Sequence, residues 1–418
     1  MKKLRSLIYI SNGNLPSKMA HTIAVAKMGQ ALSQKINNFE LVTGGDLKST
    51  FQGMDAEFQK WYGLHSKYKL VRIPLHSKIS YPFPPDYYNP TFFKLASFYA
   101  CLKSPSLVYT RDDRTAEILL DIGIPVLWEQ HHPIKKESPY CRLLHHKNLV
   151  GFVTISPKIA EAYLAQGLSP QKSLIAHSGV DSQSFLPYQT KESARQKLSL
   201  PHNEKIVLYS GHLYDYKGVP TVLETALLLP EHTFILVGGW ENDLKKVNET
   251  CKSKNITNVK TIGHVSQIEL ASYLYSADVL LLPTSKSWEQ AESTSPLKLF
   301  EYMIVKRPIV ASALPNIMTV LRDGENALLA EPDEPLAFKE AIEKLFANPS
   351  LANFLSEQAF QEVQNFTWDN RADKVLQFAV ARLQVMNKNI SNPGSNLLKY
   401  IQESSKRLSK KIVSKQPY

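Results

Sequence analysis

The sequence predicts an α/β protein of two doubly wound domains facing each other across a cleft. Its 418 residues exceed the size at which one hydrophobic core stops growing, so two domains are expected. Short apolar runs alternate with segments of helical periodicity along most of the chain. Runs that are apolar at nearly every position, rather than at every second one, belong to parallel strands covered by helices on both faces. A third observation places the function: a helix start at Ser295-Pro296 follows one of these strands. Sheets of this kind bind ligands beyond the carboxyl ends of their strands.

The second half is the more regular. Residues 206–210, 234–237, 259–262, 279–282, 309–311 and 327–329 read as strands. Between them Leu270, Tyr273 and Leu274, then Phe338, Ile342 and Leu345, recur at helical spacing. In the first half, strands are expected at 7–10, 39–42, 70–73, 107–109, 126–129 and 152–155, with a helix over 20–32. Residues 80–88, rich in Pro and Tyr, read as a loop. The domains are expected at 1–185 and 186–365, followed by a helix over 366–386 that returns to the first domain and a tail over 387–418. In that tail Leu397, Leu398, Ile401, Leu408 and Ile412 share a helical face among many cations. It reads either as a frayed end or as an amphipathic segment for a membrane surface.

Composition narrows the function classes. With 43% hydrophobic and 21% charged residues, the chain is ordinary for a globular protein and not a disordered one. Cys101, Cys141 and Cys251 stand far apart and form no Cys/His pattern, so neither a zinc site nor a disulfide framework is indicated. A reducing, cytoplasmic setting is expected. The apolar run after Lys2, Lys3 and Arg5 stops at Ser11-Asn12-Gly13, too short for a secretory signal and suited to a first strand. No stretch approaches the ~20 apolar residues of a membrane span. The net charge of +11 favours anionic partners. Nucleic acid is set aside for want of any recognition signature, which leaves a nucleotide or peripheral contact with an anionic membrane surface.

Ser295-Pro296-Leu297-Lys298-Leu299-Phe300-Glu301 carries the functional argument. Ser295 is expected to cap the helix and Pro296 to take its first position, where no amide hydrogen is needed. The free amides of Leu297 and Lys298 then point outward. With the helix dipole and the Lys298 ammonium they form an anion site. Glu301, three residues on at about 1.5 Å per residue, would reach a ribose attached to a diphosphate held there.

Further motifs precede this helix. Trp128-Glu129-Gln130-His131-His132 ends a strand, and Ala176-His177-Ser178-Gly179-Val180-Asp181 precedes the domain boundary. Tyr209-Ser210-Gly211-His212 leads to Lys217-Gly218, while Val237-Gly238-Gly239 and Gly263-His264-Val265 end two more strands. In this order they resemble the retaining nucleotide-sugar glycosyltransferases of family 4, whose GT-B fold pairs two Rossmann-like domains. The resemblance extends over roughly residues 4–378.

The resemblance implies that His131, Lys217 and Glu301 are the catalytic residues: His131 touching the donor sugar, Lys217 the donor diphosphate and Glu301 the ribose. It implies a donor-binding set of Gly211, His212, Lys217, Gly238, Gly263, His264, Val265, Ser295, Pro296, Leu297, Lys298 and Glu301. His212 stands where the family has an arginine, and Ser293 where it has the first of two glutamates; Glu289 and Glu292 miss that spacing. Residues 293–298 are therefore expected to act through backbone groups. The region from Asn12 to His21 lies where the family places phosphate or acceptor contacts.

The implied reaction is retaining hexosyl transfer from a UDP-, GDP- or ADP-sugar to a saccharide, lipid or small-molecule acceptor, as in polysaccharide or glycolipid synthesis. No metal or other cofactor is called for, the leaving diphosphate taking the acceptor's proton. Asp112-Asp113 reads as a solvated turn rather than a metal motif. Two alternatives stay open: a catalytically weak or inactive binder of nucleotide-sugar, and a nucleotide-sugar epimerase. Each residue also has a bland reading, Lys217 as an exposed turn lysine, Glu301 as a solvent-facing helix residue and His131 as a structural histidine.

Overall fold

The computed structural model describes residues 4–17, 19–45, 53–74 and 90–386. The expected loop at 80–88 and the tail at 387–418 lie outside these residues. The chain divides into two compact units. The first comprises residues 1–154 and 159–176 with the segment from Ala372 onward, the second residues 155–158 and 177–371.

The first unit runs β1 (Ser6–Asn14), α1 (Ala20–Ser33), β2 (Asn38–Gly45), α2 (Ala56–Tyr62), β3 (Lys69–Pro74) and α3 (Pro90–Lys103). It continues with β4 (Leu107–Thr110), α4 (Asp113–Asp121), β5 (Val126–Gln130), β6 (Leu149–Thr154), α5 (Pro157–Leu164) and β7 (Ser173–Ile175). The strands form one parallel sheet in the order β3-β2-β1-β4-β5-β6-β7. Every residue of β4, β5 and β6 is buried, the physical cause of their unbroken apolar runs. β1 continues past Ser11 to Asn14, pairing with β2 through a shift in register. The half-buried edge strand β7 has three residues, too few to leave a periodic signal.

The second unit begins with α6 (Lys191–Leu198), β8 (Ile206–Ser210), α7 (Val219–Leu228), β9 (Thr233–Val237), α8 (Glu241–Ser253), β10 (Val259–Gly263) and α9 (Gln267–Ser276). It continues with β11 (Val279–Leu282), α10 (Leu297–Ile304), β12 (Ile309–Ser312), α11 (Pro315–Met318), β13 (Leu328–Ala330), α12 (Pro335–Ala347) and α13 (Pro349–Val363). The sheet is again parallel, in the order β10-β9-β8-β11-β12-β13. Alternate strand residues feed two cores. Ile206, Leu208, Ile235, Val237, Leu280 and Leu282 face one with Leu274, Phe300 and Met303. Val207, Tyr209, Phe234, Leu236, Val279 and Leu281 face the other with Val222, Val247, Phe338 and Ile342. Each large side chain buried this way stabilises the unit by about 1.5–3 kcal/mol. The last helix, α14 (Trp368–Val385), runs on into the segment grouped with the first unit. There Asp373 meets Lys35 at 2.8 Å and Arg382 Nε donates to Val150 O at 3.2 Å.

Asp278, just before β11, ties α6 to the foot of this sheet. Its carboxylate accepts from Arg195 (2.7 Å), Lys191 (2.8 Å) and the Ile206 amide (2.7 Å). Burial alone would raise its pKa, but Lys191, the Ile206 N–H and Arg195 together hold it below the usual 3.8. Arg195 is only 1% exposed, so Asp278→Ala would leave a buried charge without its partner. The expected loss, read by urea unfolding at pH 7, is about 3–5 kcal/mol. The wild-type contribution is present above the ordinary carboxylate pKa and disappears as the pH falls through the lower folded-state value.

Candidate functional site

Between β8 and β11 the order of the second sheet reverses direction, the chain moving to β9 and β10 on one side and to β12 and β13 on the other. Such a switch point opens a crevice beyond the strands' carboxyl ends. The loops after β8 and β11 meet there, the Ser285 amide donating to Tyr216 O at 3.3 Å. On the other side the strand ends are laced together: the Gly211 N–H donates to Val237 O (2.8 Å) and the Gly238 N–H to Gly263 O (2.7 Å). Gly211, Gly238 and Gly263 are thereby gathered into one backbone surface. Beside it His264 is exposed, and Val265 is half-buried against the core.

Helix α10 opens onto the same crevice, with one correction to the expectation. Pro296, with φ −64° and ψ 125°, is the cap residue rather than the first helical one. The Ser295 hydroxyl does not cap the helix but accepts the Ser178 N–H at 3.0 Å. The extended Pro296 backbone turns Ser295 away from the helix end and toward the 176–181 stretch. The consequence for the amides is unchanged. Among the described residues no acceptor takes the Leu297 or Lys298 N–H, while Leu299 turns back to Pro296 O (3.1 Å). The buried Tyr302 hydroxyl accepts the Ser210 N–H at 2.8 Å, fixing α10 against the end of β8.

Two ammonium groups converge on this surface. Lys298 Nζ lies over Gly211, so close that an added Cβ there would stand 2.5 Å from it, and 4.0 Å from the Tyr209 ring centroid. Lys217, from a 3₁₀ turn (Asp215–Lys217), places its Nζ 3.7 Å from the Trp288 ring centroid. Among the described residues neither has a carboxylate at ion-pair distance. Burial pulls Lys217 down to about 8. Burial, then the charge of Lys217, pulls Lys298 well below the lysine range, with Glu301 opposing. Glu301 is half-buried on α10, one turn beyond Lys298.

His212 is no second cation at neutral pH. Burial and the charges of Lys298 and Lys217 push its imidazole below 6.5. Its ring stacks with Tyr214 (5.1 Å) and Trp240 (5.9 Å). Tyr214 in turn contacts Tyr216, and Tyr216 stacks on Trp288 at 5.0 Å. This row of rings is assembled from three loops, so no spacing in the sequence announces it. Glu292 pairs with Lys158, and Ser293 is buried with its carbonyl accepting from Ser156 Oγ at 3.1 Å. Both belong to the scaffold of the loop before α10.

His131 belongs to the first unit. Its Nε2 lies 2.5 Å from Glu129 Oε1 and its Nδ1 2.7 Å from Arg111 Nη2. Because arginine can only donate, Nδ1 accepts and Nε2 donates, which selects the neutral Nε2–H tautomer. Next to this group lies a cavity of about 420 Å³ lined by Asp113, Trp128, Gln130, His132, Tyr140 and Tyr163, among others. Asp112-Asp113 is not the expected solvated turn. Asp112 is buried and accepts from the Asn12 N–H at 3.4 Å, and Asp113 accepts from Gln130 Nε2 at 2.5 Å. Burial raises Asp112 to about 7 and Asp113 to about 6. Asp112 sits where the end of β1 meets the loop after β4, and Asp113 opens α4 at the edge of the cavity. Among the described residues no cluster of His, Cys, Asp and Glu could hold a metal ion, and no helix is long and apolar enough to cross a membrane.

Known proteins share this architecture. Sucrose-phosphate synthase from Thermosynechococcus elongatus superimposes with a TM-score of 0.68 at 19% identity, over 91% of this chain and 99% of that one. Anabaena HepE in complex with UDP gives 0.68 at 14% identity, over 90% and 100%. These likenesses show the fold, two parallel α/β units. In sequence, D-inositol 3-phosphate glycosyltransferase 1 of Catenulispora acidiphila is 26% identical over 228 residues, 50% of this chain and 52% of that protein. The chain spans about half the length of the curated relatives it matches. Residues 190–362, the span that carries the two lysines, the laced glycines and α10, match the family model described as Glycosyl transferases group 1.

Proposed function

We propose that this protein is a retaining glycosyltransferase that moves a sugar from a nucleoside diphosphate sugar to a saccharide, lipid or small-molecule acceptor. The observation that carries the reading is the convergence of Lys217 and Lys298, with no carboxylate at ion-pair distance among the described residues, on the open amides of α10 at a switch point. Two partly desolvated cations and a helix N-terminus favour a multivalent anion such as a diphosphate. As the bond from anomeric carbon to phosphate breaks, charge grows on the diphosphate, and donors already in place stabilise it. The departing diphosphate takes the acceptor's proton, so the reading asks for no protein nucleophile and no metal. Glu301 is assigned to the ribose, the backbone of Gly263 to Val265 to the base and His131 to the donor sugar. The hydroxyl-binding groups around the first unit's cavity, Asp113, Gln130 and Tyr140, suit an acceptor rich in hydroxyls.

Thermal-shift measurements with UDP, GDP, ADP and their sugars test the reading. One of them at 100 times its dissociation constant is expected to stabilise the protein by about 2.7 kcal/mol. No shift with any would overturn the donor site. Sugar transfer with retention of anomeric configuration, unaffected by a chelator, tests the chemistry. The pH dependence has a definite sign. Lys217 is a cation below its pKa of about 8 and neutral above it. Diphosphate affinity measured by calorimetry should therefore fall as the pH rises through about 8.

A further inference from the structure

We propose that Trp288 and Tyr209 are positioning residues that hold the Lys217 and Lys298 ammonium groups by their ring faces, in place of carboxylates; this rests on the donor reading above. Each cation lies over an aromatic face, Lys217 Nζ 3.7 Å from the Trp288 centroid and, further off, 5.2 Å from that of Tyr216, and Lys298 Nζ 4.0 Å from that of Tyr209. An aromatic face attracts a cation through its quadrupole but carries no net charge. A carboxylate at the same place would neutralise the ammonium and compete with the phosphate oxygens it is meant to meet. The ring orients the flexible lysine and leaves its full charge for the ligand.

Both rings are fixed by contacts that do not involve the lysines. Trp288 stacks on Tyr216 at 5.0 Å, its carbonyl accepts the Ala291 N–H at 2.8 Å, and the turn before it is closed by the Ser287 N–H on Ser285 Oγ at 3.1 Å. Tyr209 is 1% exposed and its hydroxyl donates to His212 O at 2.6 Å. The two clamps arise on different elements, the loop after β11 and strand β8, yet use the same device. Besides each other, the charged and titratable groups that bear on the pair are Glu301 and His212, with Asp243 and His264 acting on His212.

The test compares Trp288→Leu, which keeps an apolar cover, with Trp288→Phe, which keeps an aromatic face. Titration of Lys217 is followed by NMR of carbon-labelled lysine side chains, assigned with Lys217→Met, and affinity is measured for UDP, GDP and ADP against the bare nucleosides. The leucine variant should titrate at a lower pH than wild type and bind the diphosphate about tenfold more weakly, with nucleoside affinity unchanged. Its donor KM should rise more than its kcat falls, and phenylalanine should restore most of both effects. A leucine variant that titrates and binds like wild type overturns the proposal, and so does a phenylalanine variant as impaired as leucine. If wild type binds no diphosphate the donor reading fails on its own, and the Lys217 titration still decides whether the ring holds the cation.

Discussion

Lys217→Ala is expected to lower kcat/KM for the donor by about 10²–10³-fold, the cost of removing one preorganised donor from a developing negative charge. Its stability should barely change. The Lys217 ammonium has no ion-pair partner among the described residues, and burial already disfavours its charge, so its loss leaves no orphaned carboxylate behind. Lys298→Met should act in the same way. The double variant should lose less than the product of the single effects, because both cations answer to one ligand. Arginine should rescue poorly at 217, where a compact ammonium sits over one indole face and a planar fork would need a different seat. Steady-state kinetics beside thermal melting checks these expectations. Turnover in Lys217→Ala equal to wild type would remove the central electrostatic element of the proposed function.

Gly218→Ala is expected to be severely destabilising, by about 4 kcal/mol or more. Gly218 has φ +82°, and a Cβ there would lie 1.6 Å from the carbonyl oxygen of Pro283. That oxygen is backbone and cannot swing aside. The added methyl would force apart the loops after β8 and β11, which form the crevice. Gly211→Ala provides the contrast. Its φ of +129° also strains a side chain, at a cost of about 1–3 kcal/mol. Here, however, the nearest atom is the mobile end of Lys298, at 2.5 Å. Gly211→Ala should therefore stay folded while its displaced ammonium weakens diphosphate binding. Urea unfolding of both variants, with calorimetry on Gly211→Ala, separates the two cases.

Much of the architecture was legible because the second unit's strands carry residues that are buried on both faces. β8 and β11 fall on their expected residues and most of the other expected strands lie within a residue or so of those observed, but β1 runs four residues further, β2 three residues further, and β6 starts three residues earlier. The candidate anion helix was legible for a local reason: proline next to an apolar run marks a helix start wherever it occurs. Its cap was not, because the Ser295 hydroxyl is taken by the Ser178 amide, 117 positions away. Burial of Asp112 escaped for the same kind of reason, since the strand end that meets it carries Asn12, 100 positions earlier.

The sequence by itself determined the class of fold and the helix that opens onto the strand ends with Lys298 in its first turn, since each rests on neighbours within a few residues, while Lys217 was marked by the family resemblance. Only the tertiary structure decided that Lys217 and Lys298 converge with no carboxylate at ion-pair distance among the described residues, that His212 is stacked and neutral, and that rings from separate loops line the crevice. Charge state and orientation depend on desolvation and on contacts across long sequence separations, and these come into being only when the loops after β8 and β11 close on each other.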